Sequence, residues 1–470
     1  MNDSDTRSAV PSLDDCLAVL GALSDLAHDA PERRRIEQAL ASFSRSGRRR
    51  RRAEERELRV RERTGVTERT ALGAADRVED LPLDDTGLPS CVGVVEMGLR
   101  CYVCKQPYQH VDGFYHRLCP SCAAENRRRR HARTDLAGRR ALVTGGRVKI
   151  GHELVLKLLR DGAEVLVTSR FPHDTRQRFA AAPDHAEWAH RLRVHTIDLR
   201  DLGGLVAWCD RLVAEGRPLD ILVNNAAQTI RRPASAYGPL LAAERAALGA
   251  GAVEFALGEA FADDRSGAGS APALGSAGSV GSFASLGLPA SHPAAGALVP
   301  DPAGLLPDRA SVNSWSRRVD EVDPVELLEV QLVNVTAPFV LVSRLLPLLR
   351  EAAHERRYIV NVSAVEGQFG RAYKAPGHPH TNMAKAALNM LTRTSAEDLA
   401  AQGVYMSSVD TGWITDEKPY PDKRRVAGSG FRTPLDVVDG AARVYDPIVR
   451  GELGEPPYGC FLKDYRVAPW

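Results

Sequence analysis

Two C-x-x-C pairs, Cys101-Tyr102-Val103-Cys104 and Cys119-Pro120-Ser121-Cys122, stand with fourteen residues, 105–118, between them. Each pair makes a tight turn that aims two sulfurs at one point, and a hairpin between the turns completes a tetrahedron. Four thiolates leave no open coordination position, so the expected occupant is a structural zinc ion. A rubredoxin-like single iron uses similar pairs, and disulfides are the third reading. Tyr108, Phe114 and Tyr115 are the expected core of a module too small to fold on apolar burial alone, with His110 and His116 at its surface or beside the ligands. A second centre is Thr144-Gly145-Gly146-Arg147-Val148-Lys149-Ile150-Gly151. It follows a compact β-type run, Arg139 to Val143, and opens a helix whose Ile150, Leu154, Val155, Leu158 and Leu159 share one face. In that context a glycine-rich turn binds phosphate, because free N–H groups and the positive end of the helix dipole meet the anion.

Positioning that turn requires a sheet, and from Leu136 onward strands alternate with helices, the signature of a parallel α/β domain. Strand-like runs recur at Val165–Thr168, Val194–Ile197, Ile221–Val223, Tyr358–Val362 and Tyr405–Val409. Six strands in this order predict a doubly wound parallel sheet of Rossmann type. Gly459 to Tyr465 reads as a last strand closing it. An insertion at about 231–309 interrupts the domain. Its second part is low complexity and cannot bury enough apolar area to order itself, whereas Leu240 to Phe261 has the pattern of an amphipathic helix.

Ahead of the cysteines, residues 1–63 read as a helical, Arg-rich arm: a short helical hairpin from Ser12, then an Arg/Glu stretch with opposite charges at i, i+4 spacing. Residues 64–98 are polar and acidic without periodicity and read as a linker; residues 99–135 form the cysteine module, and 136–470 the α/β domain. The second Arg run, Arg127 to Arg130, is expected at an interdomain or protein contact.

Composition narrows the function classes. With 62 basic against 60 acidic side chains the formal charge is +2, which argues against a polycation that coats nucleic acid. The longest stretch free of Asp, Glu, Lys and Arg, Ser266 to Pro300, is Gly, Ala, Ser and Pro-rich and too weakly apolar to span a membrane. The polar, acidic start lacks the pattern of a signal peptide, so the expected location is cytoplasmic.

The glycine-rich turn, Asn224-Asn225-Ala226-Ala227 after a later strand and Asn361-Val362-Ser363 after another together resemble the short-chain dehydrogenase/reductase family, over about two-thirds of the chain. The resemblance implies a nicotinamide dinucleotide cofactor, held by Thr144, Gly145, Gly146, Arg147, Lys149, Ile150 and Gly151. Asp198 and Leu199 look like the adenine-contacting pair, Asn224, Asn225 and Ala226 like the ribose-side turn, and Gly412 like the glycine of a turn along the nicotinamide. No acid stands at the end of the second strand to grip a ribose 2′-hydroxyl, and Arg170 there suits a 2′-phosphate, so NADP(H) is expected over NAD(H). Lys149 replaces a family glycine and offers charge in exchange.

For catalysis the resemblance implies Asn334 at a water of the proton relay, Ser363 at the substrate oxygen and Lys385 at the nicotinamide ribose. The family's tyrosine falls at Thr381, whose aliphatic hydroxyl is too weak an acid near neutrality. Tyr373, or His380, in the long loop before it is the expected substitute. The leading expectation is therefore an NADP(H)-dependent oxidoreductase acting on a small carbonyl or alcohol, with structural zinc and, by family inheritance, a homodimer or tetramer. The alternative is a non-catalytic NADP(H) sensor or scaffold acting on a protein partner through the zinc module. Nucleic acid rests only on the Arg runs.

Overall fold

The computed structural model describes residues 12–25, 27, 28, 30–248, 299–371 and 373–470. The chain divides into two compact units, Met1–Gly65 and Val66–Trp470. The first holds helix α1 (Leu13–Ser24) and most of α2 (Pro31–Thr67). Ser12 Oγ accepts from the Asp15 N–H at 3.1 Å while Asp15 accepts from the Ser12 N–H at 3.0 Å, a reciprocal cap on α1. The expected second hairpin helix and the Arg/Glu stretch are one continuous helix, laced by pairs such as Arg33–Glu37 and Arg50–Glu54. No proline interrupts this segment after Pro31, so nothing ends the helix early.

In the second unit β1 (Gly93–Arg100) and β2 (Pro107–Val111) pair antiparallel, and α3 (Pro120–Arg130) follows. Tyr108, Phe114 and Tyr115 are buried among these elements, as the sequence led us to expect, together with Leu118, but Ile414, Leu435 and Val437 of the α/β domain belong to the same apolar cluster. The module is thus fused to the domain rather than tethered. Nor is the preceding stretch a linker. Leu72 is fully buried, the N–H groups of Ala71 and Leu72 donate to Gly113 O and Phe114 O, and Arg77 donates to Thr433 O at 2.7 Å and Leu435 O at 2.8 Å. Irregular backbone held by such bonds leaves no periodicity in the sequence.

The Arg run at the end of α3 is the dock. Arg130 is buried against α12 (Val437–Glu452), with Nη1 at 2.5 Å from Asp436 Oδ1, Nη2 at 2.9 Å from Asp436 Oδ2 and Nη1 at 3.2 Å from Asp439 Oδ1. Arg129 reaches Asp446 at 2.5 Å and Arg127 reaches Asp112 at 2.9 Å.

The sheet that follows has eight strands in the order β10-β9-β8-β7-β6-β3-β4-β5. The strands β3 (Arg140–Thr144), β4 (Glu164–Ser169), β5 (Leu192–Thr196), β6 (Ile221–Asn224), β7 (Arg357–Ser363), β8 (Val404–Asp410) and β9 (Phe461–Lys463) run parallel, and β10 (Arg466–Ala468) turns back. On one face α4 (Lys149–Arg160) and α12 pack through Leu154, Leu158, Val444 and Ile448. On the other, Leu205 of α6 (Leu202–Ala214) and Leu341 and Leu345 of α9 (Ala337–Glu351) cover Leu142 and Leu166. The run Pro324–Glu351 has the length and apolarity of a membrane span, yet half of its most apolar window is buried, and its α9 part lies on this face of the sheet.

The insertion leaves the sheet through α7 (Gly238–Leu248), inside the segment expected to be an amphipathic helix; the rest of that segment and most of the low-complexity part lie outside the described residues. Its two stems are bonded to each other, Leu306 N donating to Ala236 O at 2.9 Å, and Leu305 packs with Phe171, Tyr237 and Leu240.

Removing one partner of a buried charge pair leaves the other uncompensated, at about 3–5 kcal/mol. Arg130→Met is expected to lower the stability of the metal-loaded protein by that order, read as a lower guanidinium midpoint; an unchanged midpoint would show that the dock does not hold the module.

Candidate functional site

Strand order reverses between β3 and β6, and the carboxyl ends of the strands around that switch point open into a cleft of about 970 Å³. One end of it is the glycine-rich turn after β3. The Thr144 hydroxyl accepts from the N–H groups of Asn225 and Ala226, both at 3.0 Å, and Asn225 Nδ2 donates to Thr144 O and Gly145 O at 3.0 and 3.1 Å, tying this turn to the one after β6. A Cβ on Gly151 would lie 2.3 Å from Gly145 O, so only glycine lets α4 start this close to the turn.

Lys149 has φ +54°, in the left-handed region that glycine visits freely. The motif's backbone geometry survives the residue change. The side chain does not supply the expected free charge, however: its Nζ lies 3.0 Å from Asp80 Oδ2, on the segment expected to be a linker. Burial pulls the Lys149 pKa down, but Asp80, Glu417 and Asp301 together outweigh it and the ammonium is held above its ordinary value. Arg147 is likewise spent elsewhere, on Asp174 at 2.7 Å and Ala303 O at 2.8 Å. Ile150 faces the cleft's edge and packs partly into the cysteine module's cluster.

Arg170 sits at the end of β4 over the rings of Phe171 and Tyr237, 5.5 and 5.3 Å from their centres, and lines the cleft. Asp198 and Leu199 line it too, with the Asp198 carboxylate closed on Arg200 at 2.5 Å. Asn224 is buried below the cleft, donating to Asn361 at 2.8 Å, and Asn361 donates to Thr392 at 2.9 Å, a bridge between β6, β7 and α10 (Pro379–Ala400).

At the other end, Ser363 closes β7 and donates to Asn389 Oδ1 at 2.6 Å. Lys385, on α10, is buried and donates from Nζ to Val362 O at 2.8 Å; burial pushes its pKa down to about 8, against the pull of Glu366 and Asp410. Thr381 is 2% exposed, and its hydroxyl has no partner among the described residues although it lines the cleft. Asn334 lies in a π-helical turn, Leu332–Thr336, that joins α8 (Pro324–Gln331) to α9. Its Oδ1 accepts from Gln228 N at 2.7 Å and its Nδ2 donates to Gln228 O at 3.0 Å. After β8, Asp410 accepts from Val365 N at 2.7 Å and Gly412 N at 2.8 Å, fixing the turn that carries Gly412 and Trp413.

Tyr373 is not brought to this site. It is 75% exposed and outside the cleft lining, because the loop before α10 runs outward instead of folding back. His380 is buried behind the cleft, 3.8 Å from Glu326, and His378 stacks on Trp315 at 3.8 Å. The sulfurs of Cys101, Cys104, Cys119 and Cys122 lie within 4.8 Å of one another and none is in a disulfide. That donor set fits one soft divalent ion.

Residues 139–239 match the family model for short chain dehydrogenase, and residues 304–425 that for enoyl-(acyl carrier protein) reductase. An uncharacterized protein of Acanthamoeba polyphaga mimivirus is 32% identical over 360 residues, 74% of this chain and 71% of its own. The chain belongs to the short-chain dehydrogenase/reductase family. A probable oxidoreductase of Streptomyces lividans is 42% identical over 93 residues, 20% of this chain and 29% of that protein. Among solved structures, the Pseudomonas aeruginosa RhlG/NADP active-site complex is similar at 19% identity and a TM-score of 0.44, covering 70% of this chain and 95% of that one.

This short-chain dehydrogenase/reductase also has cleft residues that the sequence did not announce. Tyr102 and Lys105 come from the cysteine module, Lys463 from β9, and Asp80 stands behind Lys149. These come from three separate parts of the chain, and although Tyr102 lies inside a C-x-x-C pair, nothing in that motif says that its ring faces the cleft.

Lys385 titrates near 8 in the folded protein and near 10.4 unfolded, so between those values the unfolded chain holds a proton that the folded one lacks, and stability rises with pH. Wild type is expected to gain stability relative to Lys385→Met from pH 8 to 10 and to show a constant difference below pH 7; a difference flat across the whole range would refute the shift.

Proposed function

We propose that the protein is an NADP(H)-linked oxidoreductase that interconverts a small carbonyl and its alcohol, with structural zinc on Cys101, Cys104, Cys119 and Cys122. The observation that carries this reading is the meeting, in one cleft at the sheet's switch point, of the glycine-rich turn with Ser363 and Lys385. The names of an oxidoreductase relative and of an NADP complex among similar folds agree with it. NADPH, when bound, supplies a hydride to the carbonyl carbon.

The rest is the chain's own work. The N–H groups of residues 146–151 take the pyrophosphate without help from the side chain of Lys149, whose charge Asp80 already meets. Arg170 takes the 2′-phosphate, its guanidinium braced on two rings. The Ser363 hydroxyl, and that of Thr381, hydrogen-bond the substrate oxygen as charge develops on it. Lys385 donates the proton: its ammonium titrates near 8, whereas an aliphatic hydroxyl is far too weak an acid and Tyr373 is on the surface. Asn334, with both polar atoms fastened to Gln228, holds the α8–α9 junction in register with the turn after β6.

Thr381 at the tyrosine position also favours a second reading, a protein that binds NADP(H) without turnover and signals through the cysteine module.

Fluorescence titration is expected to give NADPH at least about tenfold tighter than NADH, the size of one lost charge-assisted contact, with the preference abolished by Arg170→Ala. No binding of either would refute the reading. In a carbonyl screen Tyr373→Phe should keep full activity, Lys385→Met should lose about 10²–10⁴-fold, and the wild-type rate should fall as pH rises through about 8. Tight NADPH binding with no turnover of any carbonyl would establish the second reading.

A further inference from the structure

The cysteine module is usually thought of as a staple, yet here it enters the cleft. Tyr102 lies between two of the four sulfur-bearing residues, and both it and Lys105 line the same cavity as Ser363, Lys385 and Trp413. The Tyr102 hydroxyl oxygen accepts the Trp413 N–H at 2.9 Å. The residue before, Gly412, has φ +81°, and a Cβ there would stand 2.6 Å from Leu435 of its own domain, which fixes the turn from behind, while the Tyr102 hydroxyl oxygen lies 3.5 Å from that point, at van der Waals distance. The Tyr102 ring has the Lys105 ammonium 4.9 Å from its centre and the Lys463 ammonium of β9 at 5.5 Å.

What holds Tyr102 there is the knuckle. Tyr102 N donates to Arg117 O at 2.8 Å, Cys101 N to Gln106 O at 2.9 Å, Lys105 N to Cys101 O at 3.1 Å, and Lys105 Nζ to Tyr102 O. These bonds close a turn whose two sulfurs must share a point with those of Cys119 and Cys122. Without an ion no bond holds the two pairs of sulfurs at one point, and the knuckle is free to relax.

We propose that Tyr102 is a positioning residue that couples the four-cysteine metal site to the cleft: metal fixes the knuckle, the knuckle fixes Tyr102, and Tyr102 fixes the turn 411–415. The nucleotide arm of this coupling rests on the function proposed above; the structural arm does not. Linkage makes the coupling reciprocal, so a cleft ligand that needs the ordered turn also tightens the metal by the same factor.

The test uses the full-length, zinc-loaded protein and its Tyr102→Phe variant, which keeps the ring and removes the hydroxyl. Zinc content is measured, backbone hydrogen exchange is followed in a peptide spanning residues 411–418, and NADPH is titrated. Tyr102→Phe is expected to retain one zinc per chain, to exchange about tenfold faster in that peptide and to bind NADPH several-fold more weakly. Chelation of wild type should reproduce both changes, zinc should reverse them, and NADPH should slow zinc loss to the chelator. Unchanged exchange in the zinc-loaded variant overturns the proposal even if the chelated protein unfolds, and so does faster exchange with NADPH affinity untouched. Failure of wild type to bind NADPH at all would defeat the proposed function, and the exchange arm would then decide the coupling alone.

Discussion

A guanidinium buried to 3% exposure is tolerable only if carboxylates meet it, and the placing of Arg130 against Asp436 and Asp439 is the constraint on which the arrangement of the second unit turns. Asp436 also caps α12, accepting from Asp439 N at 3.0 Å, and accepts from Leu83 N at 2.9 Å. One carboxylate thereby fixes a helix start, the last turn of α3 and the segment before β1. An apolar patch would tolerate sliding; a bidentate pair in a dry site does not. The module consequently meets the α/β domain in one register, and Arg443, bonded to Asn126 at 2.7 Å and close to Asp464 at 3.3 Å, repeats the device a turn or two along the same helix.

How much of this could be read beforehand depends on how local each signal is. The C-x-x-C pairs and the strand–turn–helix around Gly145 are short and carry their own geometry, so the four sulfurs do gather at one point and the turn does stand between β3 and α4. The parallel sheet was legible because its strands are buried on both faces and stand out as apolar runs. The segment 64–98 was misread because its anchors, Arg77 and Leu83, bond residues more than 350 positions away. Arg127 to Arg130 read the same whether solvated or buried; the acids that meet Arg129 and Arg130, namely Asp446, Asp436 and Asp439, stand at the start of α12 or on it, far along the chain. Tyr373 failed as a substitute acid because a tyrosine in a long loop says nothing about which way that loop turns.

The Lys149 departure shows that a motif can be kept in its backbone while changing in its letters. The glycine-rich turn carries a left-handed residue there, and a lysine in that conformation costs roughly 1–2 kcal/mol relative to glycine. Asp80 offsets part of this by pairing with its ammonium, and Asp80 is itself left-handed at φ +69°. The exchange moves the electrostatics of that end of the cleft from the turn itself to a contact with the segment that leads into the cysteine module.

The bonded stems of the insertion separate two problems that a chain usually solves together. Leu306 N on Ala236 O, with Leu305 against Tyr237, completes the fold at the neck, before the excursion begins. Beyond Ala236 the stems still hold the domain, Glu244 accepting from His173 N at 3.0 Å and Asp174 N at 2.9 Å and Ala303 O accepting from Arg147 at 2.8 Å, and closing a flexible loop between two fixed ends costs only about 0.6 kcal/mol more for each doubling of its length. Chain can therefore be added between such ends at small entropic cost, whereas the stems themselves, with Asp301, Ala303 and Leu305 in the cleft wall, are tied to the site.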